Sequence, residues 1–259
     1  MKRRIQEALL SSLIFLLLSI PAVASDLPKQ ISITMTEEGN LPYQHGPYKG
    51  KKIGLYVEIV KEAAKKIGIS ITFKPYPWKR CLVMMETGRS DAIIGVLKNQ
   101  TLQNYLYFVE EPLAYEETTM FTYRGSNITF DGNLNDIYKY KVGLIRGATF
   151  HDEWEKKKGN FIRLEESNKM ESLIKKLSHK RIDLIIGNKF IIQHNLKKLN
   201  LNNEIILIDA RFKLNSGHLA FSKIKGESHK ALAEAFNNAI KEIKESDIYM
   251  EIVNKYIDY

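Results

Sequence analysis

The chain has 259 residues, of which 44% are hydrophobic, and a formal net charge of +9 at pH 7. This length and composition can supply two domains with buried cores, and they exclude a disordered or low-complexity polypeptide. The lysines are spread along the chain and alternate with acids, which indicates a solvated basic surface. We therefore expect no nucleic-acid partner.

The first predicted element is a secretory signal peptide over residues 1–24. A basic start, Met1 to Arg4, precedes an apolar run from Ala8 to Ile20, and Ala22-Val23-Ala24 supplies small residues for cleavage after Ala24. The apolar run is shorter than the roughly 20 residues that span a bilayer, which argues against a membrane anchor. We expect a periplasmic protein, and not a lipoprotein, because no cysteine follows the cleavage site.

Strands and helices alternate along the rest of the chain. Strand-like alternation covers Ile31–Met35 and Ile69–Phe73, and a short buried strand is predicted at Ala92–Ile94. Helical spacing of apolar residues covers Val57–Ile67, which Gly68 terminates, and a second helix is predicted over Trp78–Thr87. This order predicts an α/β protein with mainly parallel sheets flanked by helices.

One segment has an approximate copy later in the chain. Arg89-Ser-Asp91-Ala-Ile-Ile-Gly95 is echoed by Arg181-Ile-Asp183-Leu-Ile-Ile-Gly187, and each copy follows an apolar-faced helix. Two such units predict two similar lobes. Since ligands of open α/β sheets bind beyond the carboxyl ends of the strands, we expect Gly95 and Gly187 to face each other across a ligand.

At this point the chain resembles the extracellular solute-binding proteins of family 3, the polar amino-acid type that serve ABC transporters. The likeness runs in order over nearly the whole chain after the signal peptide. It is carried by Leu41-Pro42-Tyr43, Gly54–Ile59, the two Asp-containing strands, Val142–Thr149, His218–Lys223 and Ala239–Tyr256. Tyr76-Pro77-Trp78-Lys79-Arg80 is also similar to a subgroup that carries a Pro-Trp-x-Arg element.

The resemblance implies a type II periplasmic binding protein with two α/β lobes joined by two hinge strands. Residues 25–116 and 218–259 would form lobe 1 and residues 117–217 lobe 2. The resemblance also implies a monomer that closes on a small polar ligand and delivers it to an ABC transporter permease. A ligand-sensing module for a receptor remains an alternative on the same fold.

Two positions depart from the family pattern. The arginine that clamps a ligand carboxylate, three residues after Thr101, is replaced by Asn104, and the aspartate for a ligand ammonium is replaced by Asn188. We therefore expect an anionic or uncharged polar ligand in place of a zwitterionic amino acid, with Arg80 as its principal charged partner.

The predicted ligand-binding residues combine aromatic, hydroxyl, amide and guanidinium groups with a glycine-containing backbone segment. They are Tyr43, Trp78, Arg80, Gly95, Val96, Leu97, Thr101, Arg146, Thr149 and Asn188. Arg80 and Arg146 could instead form surface salt bridges, and Tyr76 could belong to the cleft or to the core. Thr149 could open a helix as well as contact an anion.

An enzyme is the less favoured hypothesis. Cys81, the single cysteine, is expected to be buried, and no nucleophile, phosphate-loop or paired-cysteine metal motif occurs. Glu37 and Glu38 are the candidates for a catalytic acid on this fold. We expect no cofactor and no bound metal.

Overall fold

The computed structural model describes residues 27–256, apart from residues 39, 49, 151 and 209–213. The predicted signal peptide and its cleavage site lie outside the described residues. Within the described part, none of the helices has the length and apolar character needed to cross a bilayer.

The strands and helices alternate as the sequence predicts. The strands are β1 Gln30–Thr36, β2 His45–Tyr48, β3 Lys51–Ile53, β4 Ser70–Tyr76, β5 Ala92–Leu97, β6 Leu106–Phe108, β7 Ala114–Glu116, β8 Thr118–Tyr123, β9 Lys141–Ile145, β10 Arg163–Ser167, β11 Leu184–Asn188, β12 Ile205–Ile208 and β13 Asn215–Ser222. The α-helices are α1 Leu55–Lys66, α2 Trp78–Glu86, α3 Gln100–Gln103, α4 Asp152–Lys157, α5 Met170–Ser178, α6 Lys189–Leu199, α7 Glu227–Lys244 and α8 Asp247–Asn254. Short 3₁₀ turns occupy Leu134–Ile137, Lys158–Asn160 and Lys223–Lys225.

The strands form two larger sheets. The first has the order β4-β1-β5-β13-β6, with β7 paired to β13, and the second has the order β10-β9-β11-β8-β12. In each sheet three strands run parallel, β4-β1-β5 and β10-β9-β11. The two-sheet α/β architecture confirms the predicted fold class.

Helix α1 shows how the apolar spacing produces a buried face. Its residues Tyr56, Val57, Ile59, Val60 and Ala63 are fully buried in the core of the first sheet. The helix ends where Gly68 takes a positive φ of 71°, and the backbone N–H of Ile69 donates to the Ala64 carbonyl at 2.9 Å. A glycine in this conformation satisfies the last helical carbonyls without a Cβ clash.

The two echoed aspartates occupy equivalent places in the two sheets. The Asp91 carboxylate accepts a hydrogen bond from the backbone N–H of Ser32 in β1, at 2.8 Å. The Asp183 carboxylate accepts one from the backbone N–H of Lys141 in β9, also at 2.8 Å. In both cases the acid precedes a strand and ties its start to the neighbouring parallel strand. The echo therefore reflects a duplicated structural unit.

The chain passes between the two sheets along β7 and β13. These strands are antiparallel, with Asn215 opposite Glu116 and Gly217 opposite Ala114. Strand β8, which belongs to the second sheet, begins at Thr118, two residues after β7 ends. Glu116 thus lies at the point where the polypeptide leaves the first sheet.

Candidate functional site

A cleft of about 460 Å³ is lined by residues of both sheets and lies at the carboxyl ends of their parallel strands. Elements of the first sheet and its helices contribute Thr36, Tyr43, Gln44, Tyr56, Trp78, Gly95 and Leu97. Elements of the second contribute Thr118, Ile145, Thr149, Met170, Gly187 and Asn188, and Glu116 lies on the connection between the two.

Glu116 is the central carboxylate of this cleft. One of its oxygens accepts a hydrogen bond from the Tyr56 hydroxyl, and the other accepts one from the Asn188 side-chain amide at 2.7 Å. Burial raises the pKa of Glu116, whereas the two hydrogen bonds act in the opposite direction. Both donors are neutral, so the carboxylate is held in place without a compensating positive charge from either of them.

Gln44 contributes a second acceptor. The residue is only 4% exposed, it lines the cleft, and its Oε1 atom has no hydrogen-bond partner. Its Nε2 atom lies close to Gly95, where a Cβ would come within 2.5 Å of it. Because a buried polar atom without a partner is costly, this oxygen is an acceptor that the described residues leave unused.

Aromatic side chains form part of the cleft wall. The rings of Tyr43 and Tyr56 have centroids 5.1 Å apart, and Trp78 lines the same cavity from the first turn of α2. Burial raises the pKa of both tyrosines, with the nearby Glu116 carboxylate contributing in the same direction. Both hydroxyls therefore remain protonated at neutral pH and act as neutral groups.

Further charged residues line the cleft in pairs of opposite sign. Lys169 lies 4.0 Å from Glu38, and this pair connects the two sides of the cleft. Lys198 lies 2.5 Å from Glu171. All four side chains keep substantial exposure, which places these pairs towards solvent. The lining lysines therefore already have carboxylate partners.

Six of the predicted ligand-binding residues line the cleft: Tyr43, Trp78, Gly95, Leu97, Thr149 and Asn188.

Gly95 has a positive φ of 74°, and a side chain there would collide with Gln44 and Tyr56, so the glycine is required by packing inside lobe 1. Gly187 lines the cleft as well, but its φ is not positive, and a Cβ added at this position would make only ordinary contacts at 3.4 Å.

Arg80, predicted as the principal charged partner of the ligand, does not line the cleft. Arg80 is exposed, lies outside the cleft lining, and places its guanidinium 4.6 Å from the centre of the Tyr76 ring. Successive helical residues are about 100° apart, so Trp78 and Arg80 are separated by roughly 200° around α2. When Trp78 faces the cleft, Arg80 must point away from it. Tyr76 packs against the core beside α2 and does not line the cleft.

Three other predicted residues also lie outside the cleft lining. Val96 is fully buried in the core, because side chains alternate along β5 and its neighbours Gly95 and Leu97 take the cleft side. Thr101 is exposed on the short helix α3. Arg146 is exposed and lies 3.7 Å from Glu166, which matches the surface ion pair considered as the alternative.

The loop around Thr149 differs from the predicted helix start. Helix α4 begins at Asp152, three residues after Thr149, and spans only six residues. Thr149 therefore belongs to the loop that precedes the helix, and its presence in the cleft lining does not come from a helix terminus.

Sequence reasoning missed Glu116, Gln44 and Tyr56. Tyr56 belongs to the buried face of α1, and nothing in its spacing distinguishes it from a core residue. Glu116 stands beside Glu117 between the largely apolar segments Leu113–Tyr115 and Met120–Phe121, and no periodic pattern marks it as a cleft residue. Its position at the predicted boundary between the lobes was one weak signal.

Features that would favour an enzyme are weak among the described residues. Cys81 is buried, as expected, its thiol donates to the Met35 carbonyl at 3.1 Å, and burial raises its pKa to about 11. The described residues contain no cluster of three or more His, Cys, Asp or Glu side chains arranged to hold a metal. Glu37 and Glu38 both line the cleft, and Glu38 is paired with Lys169.

Comparisons with known proteins agree with the architecture. A family model described as bacterial extracellular solute-binding proteins, family 3, matches residues 33–259. The histidine-binding periplasmic protein of Salmonella typhimurium (strain LT2) is 22% identical over 262 residues, covering 97% of this chain and 96% of the relative. The L-cystine-binding protein TcyJ of Escherichia coli (strain K12) is 21% identical over 215 residues, covering 83% of this chain and 78% of the relative.

Among solved structures, a histidine kinase sensor domain with similarity to periplasmic binding proteins superimposes with a TM-score of 0.77. It is 18% identical and the match covers 89% of this chain and 97% of that domain. At 18% sequence identity, this similarity shows a shared fold and carries no conclusion about function.

Proposed function

Because the chain belongs to the bacterial extracellular solute-binding proteins, family 3, we propose that it captures a small polar solute by closure of its two lobes and delivers it to the permease of an ABC transporter. The observation that carries the proposal is the cleft itself, whose lining comes from both sheets and from the connection between them. Such a site is complete only when the lobes are brought together.

We further propose a division into lobes, which the sheet membership of β1, β4 and β5 on one side and of β8–β12 on the other supports. We assign residues 25–116 and 218–259 to lobe 1 and residues 117–217 to lobe 2. Strands β7 and β13, which pair with each other, then form the hinge. The hydrogen bond from Asn188 to Glu116 crosses this boundary and favours the arrangement in which the cleft is formed.

We further propose that the protein acts as a monomer in the periplasm, after removal of residues 1–24, and that it returns its solute chemically unchanged. The relatives named above are binding proteins, which supports a role without catalysis. Size-exclusion chromatography with light scattering tests the monomer. Mass spectrometry of the solute before and after incubation tests the absence of turnover.

Native mass spectrometry of freshly purified protein is the most direct test of solute binding. We expect a bound small molecule in a one-to-one complex, released on denaturation. In the variant Thr149→Trp, a bulky ring occupies the cleft and the bound species should disappear. The matched control Thr101→Trp changes the same residue type outside the cleft and should retain the complex. A wild-type protein that carries and binds no solute contradicts the proposal.

Uptake measurements separate delivery to a transporter from sensing. Cells lacking the gene should lose high-affinity uptake of the solute that native mass spectrometry identifies. The wild-type gene should restore this uptake. Unchanged uptake together with a lost transcriptional or chemotactic response indicates a sensing role instead.

A further inference from the structure

We propose that the solute is an organic cation, and that its protonated amine or guanidinium group binds against the Glu116 carboxylate. This inference rests on the proposed solute-binding function and specifies the class of solute. It departs from the anionic or uncharged ligand expected from the sequence, because the arginine on which that expectation depended lies outside the cleft lining.

The charge of the Glu116 carboxylate is not balanced by a basic residue among those that the structure describes. Its partners are the neutral side chains of Tyr56 and Asn188, and in the described part of the chain no basic residue forms an ion pair with it. An ionised carboxylate has about four acceptor positions, so two remain open to a ligand. A partly buried carboxylate without a cation is unfavourable, and a positively charged solute would remove this cost.

The Oε1 atom of Gln44 is a further acceptor without a hydrogen-bond partner among the described residues. The side chain is 4% exposed and lines the same cleft. Together with Glu116 it offers acceptors, whereas a protonated amine or a guanidinium offers several donors and no acceptor. The polar groups that the cleft leaves unpaired therefore match the hydrogen-bonding capacity of an organic cation.

Aromatic rings form part of the cleft wall. Tyr43, Tyr56 and Trp78 all line the cleft. The faces of aromatic rings attract cations, most strongly where water is excluded. Such a wall adds little to the binding of an anion, but it reinforces the carboxylate in holding a positive group.

Basic side chains in the cleft lining are few. The arginines of the described chain lie outside the cleft lining, and the two lining lysines, Lys169 and Lys198, are each paired with a glutamate. The other basic side chains of the lining are His45 and His194, and burial lowers the pKa of His194. A ligand carboxylate would have to compete for the exposed lysine–glutamate pairs. The described cleft lining therefore offers a ligand carboxylate no arginine and no unpaired lysine, and amines without a carboxylate should bind at least as well as the corresponding amino acids.

Isothermal titration calorimetry with agmatine, L-arginine, cadaverine and L-glutamate tests the inference. We expect agmatine or cadaverine to bind, agmatine no more weakly than L-arginine, and L-glutamate not to bind. Glu116→Gln should weaken binding of the amine at least tenfold, since it removes a charge-assisted contact while keeping the side-chain shape. The control Glu86→Gln makes the same charge change at an exposed residue outside the cleft lining and should weaken binding by less than about threefold.

A second measurement uses the unmodified protein and so does not depend on the folding of a variant. A cation stabilises the ionised form of Glu116, and amine binding should therefore release protons, detected by titration in buffers with different ionisation enthalpies. Proton uptake on binding of the amine would overturn the inference.

The outcomes distinguish this inference from the proposed function. A solute that is anionic or neutral, bound equally well by wild type and Glu116→Gln, overturns the assignment of a cation but leaves solute binding intact. Absence of any amine binding overturns the assignment as well. If no co-purifying solute is found either, the proposed function fails with it.

Discussion

The side-chain amide of Asn188, at the end of β11, donates a hydrogen bond to the Glu116 carboxylate at the end of β7, across 2.7 Å. The Oδ1 atom of the same amide accepts a hydrogen bond from the backbone N–H of Ile191 at 3.2 Å and so caps α6. One amide therefore fixes the start of a helix in lobe 2 and orients a carboxylate on the hinge. An aspartate here could cap the helix but could not donate to Glu116 at neutral pH.

The two roles of Asn188 can be separated by substitution. Asn188→Ala removes the cap and the contact with Glu116, and we expect it to lower the free energy of unfolding by about 1–2 kcal/mol. Asn188→Ser keeps a capping oxygen, so it should recover most of the stability that Asn188→Ala loses. Its side chain is shorter than that of asparagine, so we expect ligand affinity to stay reduced in both variants. Urea denaturation and calorimetry measure the two effects. Equal loss of stability in both variants would show that the cap is unimportant.

The raised pKa of Glu116 predicts how binding depends on pH. Burial holds this pKa above its usual 4.5 in the ligand-free protein, and the protonated form carries no charge to pair with a cation. Affinity for agmatine should therefore fall as the pH is lowered through the raised pKa, by up to about tenfold for each pH unit below it. Calorimetry from about pH 7.5 to about pH 4.5 provides the profile. Glu116→Gln should give a flatter profile, and identical profiles would contradict the assignment.

The two glycines of the echoed strands should respond differently to alanine. Gly95 has a φ of 74°, and a Cβ there would lie 2.5 Å from Gln44 Nε2 and 3.2 Å from the Tyr56 ring. Gly95→Ala should lower the free energy of unfolding by about 2 kcal/mol or more. Gly187→Ala meets only side-chain atoms at 3.4 Å and should change it by less than about 1 kcal/mol. Thermal denaturation of both variants checks this order.

Asp91 should stabilise the protein in a pH-dependent way. Hydrogen bonds from His229 and from Ser32 hold the pKa of its carboxyl below the ordinary value of 3.8. This stabilisation is present above the unfolded-state pKa and is lost as the pH falls below it. Asp91→Asn should therefore lower the free energy of unfolding by about 1–2 kcal/mol at pH 6, with a smaller difference at pH 3. The exposed acid Glu86, changed to Gln, should alter stability little at either pH.

Local patterns in the sequence determined the secondary structure and much of the fold. Apolar alternation located β1, and the three–four spacing of apolar residues located the buried face of α1, because side-chain direction follows directly from backbone geometry. The echoed Asp91 and Asp183 segments indicated two lobes for a similar reason. Each contains the whole unit of helix, turn and buried strand, so the duplication is visible without knowledge of long-range contacts.

Part of the cleft lining was also predictable from local patterns. Gly95 and Asn188 were predicted because residues at the carboxyl ends of parallel strands must lie at the same edge of a sheet. Arg80 was predicted as the principal charged partner of the ligand, but it lies outside the cleft lining. The rotation of about 100° per helical residue places Trp78 and Arg80 on nearly opposite sides of α2.

Only the tertiary structure decided which groups meet in the cleft. Tyr56, Glu116 and Asn188 come from a helix of lobe 1, a hinge strand and a strand of lobe 2, and they are separated by 60 and 72 residues in the chain. No periodic pattern records such an encounter, because it depends on the crossing of β7 and β13 and on how the two sheets face each other. The charge of the site, and with it the class of solute that we propose, is set by that packing.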